Sequence, residues 1–185
     1  MAAATGARGE GRGAREQTRK APHAPRPTSQ PLEFITRTPT GTEALGERLG
    51  RLLSGGEVLA LVGPLGAGKT VFVRGLARAL GCAAGEVASP TYVIERLYPG
   101  RLLLRHLDAY RLSGAAEFEA SDLGAALGAA GSVAAVEWAD RVAGAMPAGG
   151  LEVGIEVLGA DERRLVFRAD SDRGRRILER LAAGT

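Results

Sequence analysis

Residues 63–70 read Gly-Pro-Leu-Gly-Ala-Gly-Lys-Thr and satisfy the pattern G-x-x-x-x-G-K-[ST]. The pattern demands a strand, a tight turn whose N–H groups point inward, and a helix that starts at the lysine. Gly63, Gly66 and Gly68 supply the conformational freedom such a turn needs, and their missing side chains let a ligand oxygen come close to the backbone. Ala67 completes the turn. Lys69 brings a point charge to β- and γ-phosphates, Thr70 a hydroxyl suited to Mg²⁺, and the N–H groups of Lys69, Thr70 and Val71 open a helix whose positive dipole end faces the same anion. The chain is therefore expected to bind a nucleoside triphosphate with Mg²⁺. With 27 glycines in 185 residues, a match by accident must be weighed. The chain's own residue frequencies put it at roughly one in a few hundred such chains.

The flanks agree with the motif. Glu57–Val62 is a short apolar run of buried-strand type, and Val71–Leu80 has helical spacing with Gly81 as its stop. Leu45, Leu49, Leu52 and Leu53 form an apolar stripe, so a helix is expected over Thr42–Leu53, capped by Thr40 or Thr42. Tyr92–Tyr98 and Arg101–Leu107, joined by Pro99-Gly100, read as a hairpin. Residues 114–130 look helical but are interrupted at Gly124 and Gly128. Ser132–Trp138 reads as a core strand, and Leu151, Val153, Ile155 and Val157 alternate before a return strand at Arg164–Arg168. Ser171–Leu181 closes as a helix. The expected fold class is α/β, a mixed P-loop NTPase-like sheet flanked by helices and carrying β-hairpins.

Size and charge narrow the options. A chain of 185 residues with 45% hydrophobic content suits one principal core. The net charge of +3 comes from residues 1–31, which carry six Arg or Lys against two Glu, so residues 32–185 are nearly neutral. Bulk charge gives no reason for the remainder to bind nucleic acid directly. Residues 1–31 are rich in Gly, Pro and Arg and are expected to be a disordered extension, with 32–185 a single P-loop ATPase domain. No stretch approaches the roughly 18 apolar residues of a membrane span, so no membrane association and a cytoplasmic location are expected. Cys82 has no Cys or His near it in sequence and reads as a reduced apolar filler.

Four further motifs lie at loops or strand ends: Thr40–Thr42, Ser89-Pro90-Thr91-Tyr92, His106-Leu107-Asp108-Ala109-Tyr110-Arg111-Leu112, and Glu137-Trp138. Asp108 and Glu137 each end an apolar run, where carboxylates can join Thr70 in holding Mg²⁺ and position a water. Asp108 is expected on a strand adjoining the P-loop strand. Alternatively, each is a solvated strand cap, Trp138 a core aromatic and Tyr110-Arg111 a surface pair.

Taken in this order, the motifs G-x-L-G-A-G-K-T, S-P-T-[FY], H-x-D-x-Y-R-L and E-W make the chain resemble TsaE, the bacterial P-loop ATPase family of tRNA threonylcarbamoyladenosine biosynthesis, over about residues 36–168. That resemblance implies a switch loop at Ser89, Pro90, Thr91 and Tyr92 over the γ-phosphate. It implies a catalytic and metal role for Asp108 and Glu137 beside Lys69 and Thr70, Trp138 packed against the site, and Thr40 or Thr42 near the base. It further implies ATP and Mg²⁺ as cofactors, and TsaB and TsaD as partners that carry threonylcarbamoyl to adenosine 37 of tRNA, so that tRNA is met indirectly through the complex. Hydrolysis by the isolated chain is expected to be weak and stimulated by partners. The chain departs from the family at Pro64, often Asp, at Val71, often Thr, and at Ala139-Asp140, often Pro-Glu. Val71 offers its backbone alone to phosphate, which leaves the cradle intact.

Two alternatives remain: a small-molecule P-loop kinase, whose Arg-rich lid could come only from Arg173, Arg175 and Arg176, and a module that binds ATP without significant turnover. A GTPase is disfavoured because Lys20 and Lys69 are the only lysines and neither sits in an Asn/Thr-Lys-x-Asp loop.

Overall fold

The computed structural model describes residues 30–90 and 94–184. The expected disorder of residues 1–29, and Thr91 and Tyr92 of the switch motif, lie outside them. Seven strands form one mixed sheet in the order β1-β7-β6-β2-β5-β4-β3. β2 (Val58–Val62) lies at its centre, parallel to β5 (Ser132–Glu137) on one side and to β6 (Leu151–Val157) on the other. β4 (Leu103–Asp108) runs parallel to β5, and β3 (Glu95–Tyr98) returns on it as the expected hairpin. β7 (Arg163–Ala169) pairs antiparallel with β6 and with β1 (Leu32–Thr36). β1 was not expected from the sequence, because its run of five is too short to show a period by itself.

Side-chain alternation divides the core into two layers. Leu59 and Leu61 of β2, Leu104 of β4, Val133 and Ala135 of β5, and Leu165 and Phe167 of β7 pack under three helices: α1 (Pro39–Leu52), α2 (Lys69–Ala79) and α4 (Asp172–Ala183). Val58, Leu107, Ala134 and Val136 face the other way, toward α3 (Ala115–Ala120) and a 3-10 segment at Ala139–Ala145. β5 is buried at every position because both faces are covered.

Several boundaries differ from the sequence reading, each for a local reason. α1 is capped by Thr38, not Thr40 or Thr42: the Thr38 hydroxyl accepts from Gly41 N–H at 3.0 Å and Pro39 fits the first helical position, where no N–H is needed. α2 begins at Lys69 and ends in a Schellman motif, with Cys82 N–H on Ala77 O at 2.9 Å and Gly81 at φ +75. The helix expected over 114–130 is limited to α3 and a 3-10 turn at Gly124–Ala126. β5 stops at Glu137, since Trp138 is left-handed at φ 59. Asp108 is not on a strand adjoining the P-loop strand; β5, with Glu137, lies between them. Cys82 is buried, its thiol donating to Tyr98 O at 3.3 Å.

Candidate functional site

β2, β4 and β5 are parallel, so the P-loop, Asp108 and Glu137 emerge together at the C-terminal ends of these strands. This is the end of the strands where open α/β sheets place their ligands. Asp108 and Glu137 stand directly opposite each other in the β4–β5 register and are both buried. Like Leu104 and Val133 they face α2, so the first turn of α2 lies over them.

The P-loop is shaped for an anion. The first intrahelical bond of α2 is Phe72 N–H to Gly68 O at 2.9 Å, which leaves the N–H groups of Lys69, Thr70 and Val71 without helical partners. Among the described residues no side chain caps that end. Gly66 and Gly68 take φ of +75 and +100, conformations L side chains rarely adopt. A Cβ on Gly63 would stand 2.4 Å from Ile155 O, so the loop can lie against β6 only as glycine.

Lys69 is buried. Its ammonium donates to Gly63 O at 2.7 Å and Pro64 O at 2.9 Å and lies 3.8 Å from the centre of the Trp138 ring. Desolvation pushes its pKa below the usual lysine value, and the charges of Glu137, Asp108 and Asp140 pull it back up. The left-handed turn at Trp138, at a cost of about 1–3 kcal/mol for a bulky residue, sets the indole over Lys69 and 5.0 Å from the Tyr110 ring. The Thr70 hydroxyl donates to Glu137 Oε1 at 2.8 Å, Ser89 Oγ to Asp108 Oδ2 at 2.8 Å, and Tyr110 N–H to Asp108 Oδ1 at 2.9 Å. Lys69, Thr70, Ser89, Asp108, Glu137 and Trp138 line one cavity of about 420 Å³ with the P-loop backbone.

A second cavity of about 240 Å³ lies beyond the P-loop, bounded by Thr42, Gly66, Ala67, Gly68, Val71 and Arg163. Thr42 is buried there and bonded to Thr36 Oγ1 at 2.7 Å, whereas Thr40 is exposed on the first turn of α1 and lines neither cavity. Pro90 is buried next to Ser89.

Arg163 escaped the sequence reading, and His106 entered it as the first residue of the H-x-D-x-Y-R-L motif without a role of its own. Arg163 donates from Nε to Ala67 O at 2.9 Å and from Nη2 to Gly66 O at 3.3 Å, while Nη1 bonds Gly159, Ala160 and Glu162 carbonyls, tying the β6–β7 turn to the P-loop. No local signal marks it, because the loop it holds is 96 residues away. His106 is fully buried, its Nε2 2.8 Å from Glu137 Oε1. Its spacing of two from Asp108 on a strand was the available clue to a shared face.

A glycine-rich loop between a parallel strand and a helix, with carboxylates at the ends of the neighbouring strands, defines an α/β protein of the P-loop NTPase type. Residues 36–165 match the family model described as threonylcarbamoyl adenosine biosynthesis protein TsaE, and the chain belongs to that family. It is 39% identical over 135 residues to the tRNA threonylcarbamoyladenosine biosynthesis protein TsaE of Treponema pallidum, covering 72% of this chain and 98% of that one. The protein of the same name from Bacillus subtilis is 37% identical over 153 residues, covering 82% and 94%. The crystal structure of Bacillus subtilis YdiB superposes with a TM-score of 0.68 at 30% identity, over 83% of this chain and 95% of that one. Among the described residues no helix is long and apolar enough to cross a membrane.

Proposed function

We propose that this chain is a Mg²⁺-dependent ATPase of the cytoplasm that hydrolyses ATP in a complex with TsaB and TsaD, and so supports threonylcarbamoyl transfer to adenosine 37 of tRNA. The observation that carries this reading is the in-register pair Asp108 and Glu137 beside Thr70, opening on the cavity that the P-loop backbone lines. The residues fit the ligands. Unpartnered helix N–H groups and the Lys69 ammonium suit phosphate oxygens, and Thr70, Asp108 and Glu137 present the hard oxygen donors that Mg²⁺ selects. A bound Mg²⁺ would supply neutralisation of the phosphate charge.

The protein's own groups do the rest. Lys69 exchanges its Gly63 and Pro64 carbonyls for phosphate oxygens, and Glu137, released by Thr70, accepts a hydrogen bond from the attacking water and orients it. Ser89, bonded to Asp108, links the switch motif to the site, which is where a partner can order it. The kinase alternative loses its lid. Arg173 bonds Ser54, Gly55 and Glu57 at the opposite end of β2 from the P-loop.

The test is ATP hydrolysis by the chain alone, with acceptor metabolites, and with TsaB, TsaD and substrate tRNA. Slow turnover alone and strong stimulation by the partners are expected. Phosphoryl transfer to a metabolite would establish the kinase, and ATP binding without turnover in the full complex would establish the binding module.

A further inference from the structure

The proposed function leaves His106 without a task. Its side chain is 0% exposed, and a buried imidazole is costly unless hydrogen-bonded. Only one ring nitrogen is, among the described residues: Nε2 meets Glu137 Oε1 at 2.8 Å, whereas Nδ1 is buried with no partner there. A carboxylate oxygen accepts and cannot donate, so Nε2 carries the proton. Among the described residues, the hydrogen bonding of this side chain is directed at one carboxylate.

The sheet explains how it reaches. In the β4–β5 register His106 faces Ala135 and Asp108 faces Glu137. The small Ala135 side chain leaves room for the imidazole to lean along the sheet to the next residue of the neighbouring strand. The same Oε1 also accepts from Thr70 at 2.8 Å, but the two donors are not equivalent. Thr70 lines the cavity, and its hydroxyl is one of the groups proposed above that would hold Mg²⁺. His106 is fully buried on the α2-facing side of β4, with the Tyr98 ring centroid 6.4 Å away and tilted 37°.

We propose that His106 is a positioning residue, which holds the Glu137 carboxylate in its working orientation after Thr70 has left it. The inference rests on the proposed role of Glu137 in hydrolysis. It acts on the reaction and not on affinity, because His106 touches neither cavity.

The experiment measures partner-stimulated hydrolysis and ADP affinity for His106→Leu, His106→Gln and His106→Asn in the full chain. A Gln amide can place its N–H near the Nε2 position; an Asn amide falls short. His106→Leu should lower kcat about 10²-fold, the usual scale for an ångström-level misplacement, with KM and ADP affinity within about threefold of wild type. His106→Gln should recover about tenfold of that loss and His106→Asn none. In a Glu137→Gln background His106→Leu should add less than about twofold, since residues acting as a unit are not additive. The proposal is overturned if His106→Leu turns over within about twofold of wild type, if Gln and Asn are equally impaired, or if the losses add. Should the Leu variant not fold, the Gln–Asn pair decides.

A second readout does not need turnover. The chain has two histidines, His23 and His106, so ¹⁵N-histidine spectra are readily assigned. His106 should appear as the Nε2–H tautomer with a slowly exchanging proton, unchanged in the ADP–Mg²⁺ complex and shifted in Glu137→Leu. An Nδ1–H tautomer, or a signal indifferent to Glu137→Leu, overturns the proposal. Wild type that hydrolyses nothing with its partners would instead count against the proposed function, and the tautomer measurement would still decide the position of His106.

Discussion

Lys69 and the two carboxylates illustrate how residues in one cavity divide their work. The Lys69 ammonium meets phosphate in ground and transition states alike, so Lys69→Ala should weaken binding itself. Asp108→Asn and Glu137→Gln keep shape and should retain ADP while hydrolysis falls roughly 10²- to 10⁴-fold. Melting with ADP and Mg²⁺ separates the two classes. At a ligand concentration 100 times Kd the stabilisation is about 2.7 kcal/mol, or roughly 5–11 °C for a chain of this size. Wild type, Asp108→Asn and Glu137→Gln should show that shift and Lys69→Ala should not. The pH dependence has a definite sign. Burial lowers the Lys69 pKa and the Glu137 charge is the first of the effects that raise it again, so removing that charge lowers it further. Lys69 then loses its proton at a lower pH, and the alkaline limb of ADP affinity should move to lower pH in Glu137→Gln than in wild type.

At the scale of elements, the position of α2 depends on its contact with α1. Gly46 and Gly50 stand four residues apart on α1, and Cβ atoms there would lie 2.2 Å from Phe72 O and 2.6 Å from Ala79 Cβ. A Cβ on Gly75 would lie 1.9 Å from Glu43 O. Backbone cannot give way as a side-chain tip can. Gly75→Ala therefore should be destabilising although alanine is favoured over glycine in an isolated helix by about 1 kcal/mol. Overpacking of this kind costs typically ~1–3 kcal/mol, so urea denaturation should show a net loss, and ADP affinity should fall because the first turn of α2 shifts with the helix. Arg163 acts on the same loop from the other side. In a trans peptide the C=O and the following N–H point opposite ways, so holding Ala67 O turns the Gly68 N–H toward the phosphate side. Arg163→Ala should weaken ADP and inorganic tripolyphosphate alike, by about tenfold each if one charge-assisted bond's worth of order is lost. A loss confined to ADP in calorimetric titration would place the effect at the base instead.

For the whole molecule, the sheet is closed on one face by α1, α2 and α4 and on the other by α3 and the 3-10 segments, with β1 completing the edge at β7. Residues 1–31 end immediately before β1, and their composition offers almost no apolar surface. Deleting them should leave melting temperature within about 2 °C and ADP affinity within about twofold, whereas extending the deletion through Thr36 removes the β1–β7 pairing and the Thr36–Thr42 bond and should cost several degrees.

What the sequence determined by itself was local in origin. The Gly63–Thr70 turn, the strand before it, the helix after it, the β3–β4 hairpin and the β6–β7 pair each write their geometry into adjacent residues, through glycine torsions, a period of two or a period near 3.6. Even so, the helix is capped by Thr38 and not by Thr40 or Thr42: the three are chemically alike, and what separates them is Pro39 at the first helical position and the hydrogen bond from Gly41. The strand order, the pairing of Asp108 with Glu137, the reach of His106 across Ala135, the Arg163 clamp and the glycine contact of α1 with α2 were decided in the tertiary structure. These contacts join residues tens of positions apart. No periodicity or propensity carries them, since they arise only when the two cores pack and fix which strands become neighbours.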